Sequence, residues 1–89
     1  TGIKDFEENF KAAIFPNPVV NSLSINFEEI DQVYHLEALD LNGKLLFVKQ
    51  LNSNNNVIDV SYLSAGVYIF ALRNQENRIL KTFKIKKNK

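Results

Sequence analysis

Most of this sequence repeats with a period of two, and that periodicity restricts the possible fold more than any other feature. Leu23, Ile25 and Phe27 alternate with Ser24 and Asn26, which sends one apolar face inward along an extended strand. Phe83 and Ile85 alternate with Lys84 and Lys86 in the same way. The run from Val67 to Leu72 is continuously apolar and rich in β-branched and aromatic residues. It reads as a central strand covered on both faces. Turn signals separate these runs: Pro16-Asn17-Pro18, Asp40 to Gly43, Asn52 to Asn56, Ser64 to Gly66, and Asn74 to Asn77.

Seven candidate strands lie between the turns, near residues 11–15, 22–27, 33–40, 44–51, 56–61, 66–73 and 78–86. Short strands at this spacing, with no helix-length amphipathic run, predict an all-β, seven-stranded antiparallel sandwich. Asn42-Gly43 between two apolar runs is the strongest hairpin signal, because both residues accept a positive φ at low cost. Asp40 is placed to fold its carboxylate onto the following amides. Pro16 and Pro18 cannot donate to a ladder, so they end the first strand or carry the chain between sheets. Asp5 to Phe10 offers one helical turn, too short to stand alone. Residues 1–10 read as the end of an interdomain linker and residues 11–89 as the domain.

Eighty-nine residues make one small domain. A chain of that size buries only ~60–65% of its unfolded surface, so its core is thin. A hydrophobic content of 45% with 24% charge is that of a folded chain. No apolar run approaches the ~20 residues of a membrane helix. The absence of cysteine removes a disulfide scaffold, a thiolate zinc site and a cysteine nucleophile together. Thr1-Gly-Ile-Lys-Asp5 lacks the charged and apolar regions of a signal peptide, and the first residue is not methionine. The natural protein is therefore expected to continue upstream, with this chain as its C-terminal module.

Residues with catalytic chemistry are few. His35 is the sole imidazole and sits within a candidate strand, where a surface or interstrand role fits it. Five serines are present, yet a triad needs a base held by a third group. Glu28, Glu29 and Asp31 form the one acidic cluster, without EF-hand spacing. Gly2, Gly43 and Gly66 are isolated, which leaves no phosphate-cradling loop. On this reading the chain is not an enzyme and holds neither metal nor cofactor.

The net charge of +1 hides an asymmetry. Residues 1–45 carry a balance of −5 and residues 46–89 a balance of +6. Arg78, Lys81, Lys84, Lys86, Lys87 and Lys89 crowd the last twelve residues without one acid. Such an end either binds an anionic partner or discourages edge-to-edge aggregation. Single-stranded nucleic acid would need exposed aromatics beside the lysines. Phe83 alternates to the opposite face, so no nucleic-acid partner is expected.

The turn residues also carry a resemblance. Phe15-Pro16-Asn17-Pro18 followed by Leu23 to Asn26, Leu39 to Leu45 around Asp40 and Gly43, Leu63 to Ile69 around Gly66 and Tyr68, and Lys81 to Lys86 occur in register over residues 14–87. In that order and spacing they resemble the type A C-terminal sorting domain of the type IX secretion system of certain Gram-negative bacteria. Gly66 permits a tight or left-handed backbone before the buried strand, where a Cβ would clash. Tyr68 can bury its ring and keep its hydroxyl near a carbonyl or water. The family usually has a glycine in its last hairpin; here Asn74 or Asn77 would supply the positive φ.

The resemblance implies an immunoglobulin-like β-sandwich that directs an attached cargo from the periplasm through the outer-membrane translocon. It implies recognition by an outer-membrane shuttle protein. It further implies removal by a sortase-like cysteine peptidase, cutting in or before residues 1–12, with the cargo anchored at the cell surface or released. Lys81, Lys84, Lys86, Gly66 and Tyr68 are the candidate recognition residues, with the final strand as an edge open to strand addition. The lysines would steer encounter, while Gly66, Tyr68, Pro16, Asn17, Pro18, Asp40 and Gly43 would shape the fold. The alternative is a fibronectin-like module that binds carbohydrate or protein on a secreted surface enzyme.

Overall fold

The computed structural model describes residues 11–28 and 30–89. The short helical turn expected over Asp5 to Phe10 and the linker over residues 1–10 lie outside the described residues. Seven strands follow in chain order: β1 Ala12–Phe15, β2 Ser22–Phe27, β3 Tyr34–Leu39, β4 Leu45–Leu51, β5 Asn55–Asp59, β6 Gly66–Arg73 and β7 Ile79–Lys87. They form two antiparallel sheets, one of three strands in the order β1-β2-β5 and one of four in the order β4-β3-β6-β7. The all-β expectation holds, and each strand falls within two residues of its predicted bounds.

The period of two becomes the two sides of each sheet. Leu23, Ile25 and Phe27 of β2 face Tyr34, Leu36 and Ala38 of β3 and Tyr68, Phe70 and Leu72 of β6, all buried. Phe27 and Tyr34 stack with ring centroids 5.1 Å apart, joining the sheets at one end. Phe70 meets Phe47 edge-on at 6.1 Å. Burial drives the Tyr34 phenol above its ordinary pKa, and the neighbouring Asp31 carboxylate, which accepts its proton at 3.2 Å, adds to the rise. Among the described residues no helix is long and apolar enough to cross a membrane.

The outer side of β6 differs from expectation. Val67 and Ile69 are only half-buried, and among the described residues no strand lies over them. The continuous apolar run suggested cover on both faces. Instead β6 is one of two inner strands of a four-stranded sheet, flanked by β3 and β7, whose side chains shade its outer face.

Two hairpins share one construction. In the β3–β4 turn, Asp40 Oδ1 accepts from the N–H groups of Asn42 and Lys44, both at 2.9 Å, and Gly43 takes φ +86°. In the β6–β7 turn, Asn74 Oδ1 accepts from Glu76 and Arg78 at 2.9 and 3.0 Å, and Asn77 takes φ +65°. The carboxylate and amide oxygens satisfy turn amides that no ladder reaches. Asn77 thus supplies the left-handed residue that glycine supplies in the first turn. Beyond β5, the Ser61 hydroxyl and N–H hold the Asp59 carboxyl below the usual carboxylate range.

Pro16 and Pro18 act as the sequence suggests. Strand β1 stops at Phe15, and the peptide bonds preceding both prolines are cis. The chain then leaves the three-stranded sheet and runs along the outer edge of β7. There Asn17 Nδ2 donates to the Lys84 carbonyl at 3.1 Å, and the Lys86 N–H donates to Asn17 Oδ1 at 3.0 Å. The Val19 N–H donates to the Lys86 carbonyl and the Asn88 N–H to the Val19 carbonyl, both at 2.8 Å. The Val19 side chain is fully buried. One side-chain amide and one residue of main chain thereby complete an edge that would otherwise be bare.

Replacing Asn17 with alanine removes two of these bonds and is expected to cost about 1–3 kcal/mol. Asn17→Asp, which keeps the acceptor but loses the donor, should fall between; urea denaturation of the three chains measures the order. The raised Tyr34 pKa has a defined pH consequence. The fold favours the neutral phenol, so its contribution is complete below about pH 10 and is lost as pH rises through the folded value. As pH rises above about 10 the wild type should therefore lose more stability than Tyr34→Phe. Equal losses would assign the alkaline sensitivity to other groups.

Candidate recognition surface

The residues of β7 divide between two sides by parity. Tyr68 pairs with Ile85, Phe70 with Phe83 and Leu72 with Lys81, so residues 81, 83 and 85 turn toward the inner side. Val67 pairs with Lys86, Ile69 with Lys84 and Ala71 with Thr82, which puts Lys84 and Lys86 on the outer face of the four-stranded sheet. Lys81, the third lysine among the candidate recognition residues, does not join them. Its ammonium lies 5.6 Å from the Phe83 ring centroid, within cation–π reach. With Lys11, Ala12, Ala13, Asn26, Phe27 and Glu28 it lines an open cavity of about 450 Å³ between β1 and β7. Lys81 shares the odd parity of Phe83 and Ile85, whereas Lys84 and Lys86 share the even one, so the three separate between the two sides of the strand.

Beside Lys84 and Lys86 lies an apolar field. Across the outer face, Ile69 pairs with Leu39 and Leu39 with Leu45. Leu45 is 50% exposed and Val48, opposite Glu37 in the next row, is 49% exposed. With strands roughly 4.8 Å apart, the row from Leu45 to Lys84 is roughly 15 Å across. One end of the field closes in a polar row of Gln50, His35 and Arg73. Arg73 Nε donates to Glu37 Oε1 at 2.9 Å, which cancels the one carboxylate that the described residues place on this face. The ammonium groups of Lys84 and Lys86 make no ion pair among the described residues, so the field carries unbalanced positive charge along its β7 side. Sequence reasoning singled out the lysines but missed Leu39, Leu45, Val48 and Ile69. The available signal was an apolar residue at both parities of β4 and β6, more than one buried side can absorb.

The other candidates shape the fold. Tyr68 is buried, and its hydroxyl donates to the Ser64 carbonyl at 2.6 Å, tying the start of β6 to the turn before it. Gly66 adopts φ +156°, but nothing lies within 4 Å of where a Cβ would stand. The expected clash is absent. Glycine is favoured there by a dihedral that side chains rarely take, and space is not the reason.

The edge expectation also changes. From Lys84 to Asn88 the outer edge of β7 is already bonded to Asn17 and Val19, so an added strand cannot pair there without displacing them. Among the described residues the exposed aromatics form no row that would stack a glycan. Phe15 stands on the outer face of the three-stranded sheet, and Tyr62 packs beside Phe47 with centroids 6.3 Å apart. Among the described residues no group of three or more His, Asp or Glu is gathered for a metal ion.

Comparison with known proteins agrees with the motif reading. A family profile described as a secretion system C-terminal sorting domain matches residues 13–86, from β1 almost to the end of β7. None of the curated proteins compared with the chain matches it. The two ends of that match are the segments that Asn17 and Val19 join across the edge of β7, so the motifs that define it meet in space. By this match the chain belongs to the family of C-terminal sorting domains of the type IX secretion system.

Proposed function

We propose that the chain acts as a detachable export signal and that its work is recognition, not catalysis. The carrying observation is the family match across all seven strands. A sorting domain of this family sends its protein through the type IX system toward the outer membrane or cell surface. The finer steps are our reading. An outer-membrane shuttle protein and the translocon receive the domain. A sortase-like cysteine peptidase then cuts upstream of β1, and the cargo is anchored or released. Residues 1–10 would serve as the linker that is cut and residues 11–89 as the folded signal.

The immunoglobulin-like reading is supported by strand order. A three-stranded β1-β2-β5 sheet facing β4-β3-β6-β7 follows the A-B-E and C′-C-F-G order of such sandwiches. The Tyr68 hydroxyl bonded four residues back to Ser64, at the start of the sixth strand, repeats the tyrosine corner of that architecture. Of the candidate recognition residues, Lys84 and Lys86 stand where a partner can meet them. Gly66 and Tyr68 keep the β6 entry in shape.

Fused behind a periplasmic reporter, residues 1–89 are expected to carry it to the surface of a host that has the type IX system. Retention of the reporter in the periplasm, while the host's own cargo is exported, would overturn the proposal. Mass spectrometry of the exported fusion should find a mature C-terminus before β1. One ending at Lys89 would instead mark a retained module.

A further inference from the structure

We infer that the domain is recognised by its sheet face, not by its last edge, and that the occupant is a protein surface with an apolar centre bordered by carboxylates. This inference rests on the sorting-signal reading. The edge of β7 is preoccupied from Lys84 onward by Asn17 and Val19. The outer face of the same sheet has no cover among the described residues and presents Leu39, Leu45, Val48 and Ile69 together. Isolated exposed aliphatics are ordinary, but a contiguous field across three strands, bordered by lysines on the fourth, is the kind of surface that proteins use to associate. Its charge is one-sided. Glu37 is neutralised by Arg73, while Lys84 and Lys86, beside Ile69 and Val67, have no acidic partner among the described residues. Carboxylates on the partner would meet them and fix the register, which is the usual contribution of rim charges to encounter and specificity.

The chemistry of the face favours a protein over a membrane or a glycan. Its apolar residues are aliphatic and lie flat on the sheet, at most about half exposed. Membrane interfaces and sugars are met by projecting aromatic side chains. The chain has no tryptophan, and its exposed Phe15 and Tyr62 lie off this face. A second copy would bring the same unpaired lysines against one another wherever the fields align face to face.

The test uses the 89-residue chain fused to an exported reporter, with a photo-crosslinking phenylalanine analogue at position 45, 48 or 57. Val57 is 69% exposed on the outer face of the other sheet and serves as the control. Positions 45 and 48 are expected to capture a protein of the export apparatus, through a peptide that carries Asp or Glu beside apolar residues. The combined change Lys84→Glu and Lys86→Glu should lower both that capture and export by about tenfold or more, because like charges are then opposed. Lys84→Gln with Lys86→Gln should lie between. Ile69→Thr, which keeps a β-branched side chain at its strand position, should also reduce capture. Thermal melts of each purified variant must match the wild type, which separates lost recognition from lost folding. Equal capture from position 57, capture of lipid or a second copy alone, or unchanged export in the charge-reversed chain would overturn the inference while leaving the sorting reading intact. Failure of the unmodified fusion to be exported would overturn both.

Discussion

The structure depends on a join between its beginning and its end. Two antiparallel sheets packed face to face are held by apolar burial, which is strong but has no direction. The Asn17 amide and the Val19 main chain supply the direction. They leave the three-stranded sheet and bond to alternate residues along β7, nearly seventy positions away in sequence. Each bond is worth only about 1 kcal/mol net, but each also satisfies an edge group that would otherwise stand open. Asparagine suits the task because its side chain carries a donor and an acceptor, like a peptide group, on a stem short enough to lie in the plane of the sheet.

That join settles what the C-terminal strand can do. An uncovered lysine-rich edge invites strand addition, but this edge is satisfied over its second half, and what β7 offers is its outward side chains. Lys84 and Lys86 border the half-buried Val67 and Ile69, and Leu39, Leu45 and Val48 extend the apolar surface across β3 and β4. The same strand gives Ile85 to the core and Lys81 to the open side near β1. A nine-residue segment therefore serves packing, edge closure and surface chemistry at once, with each task assigned by parity.

Much of this was legible in advance, and the reasons are local. Alternation at Leu23, Ile25 and Phe27 marks a half-buried strand because side chains in extended backbone point to opposite sides. Asp40 and Gly43 announce their turn because one can accept from turn amides and the other can take φ +86°. Asn77 does in the last hairpin what a glycine would do. The misreadings share a cause as well. At Gly66 the permissive backbone expected of a glycine is present as φ +156°, but the clash expected of a Cβ is not, and residue type alone does not distinguish the two. The sequence does not separate Val67 and Ile69 from covered residues, because an apolar residue under a second layer and one shaded by its neighbours look alike in sequence.

By itself the sequence determined seven extended segments, their turns and the family to which they belong. Those properties follow from residue type at short separation: side-chain parity, the φ a turn residue accepts, and the amide hydrogen that proline lacks. Only the tertiary structure decided that Asn17 meets Lys84 and Lys86, that Lys81 stands near β1, and that one sheet face stays uncovered among the described residues. Those outcomes depend on which strands become neighbours. Neighbourhood is set when the whole core closes, by burial summed over both sheets.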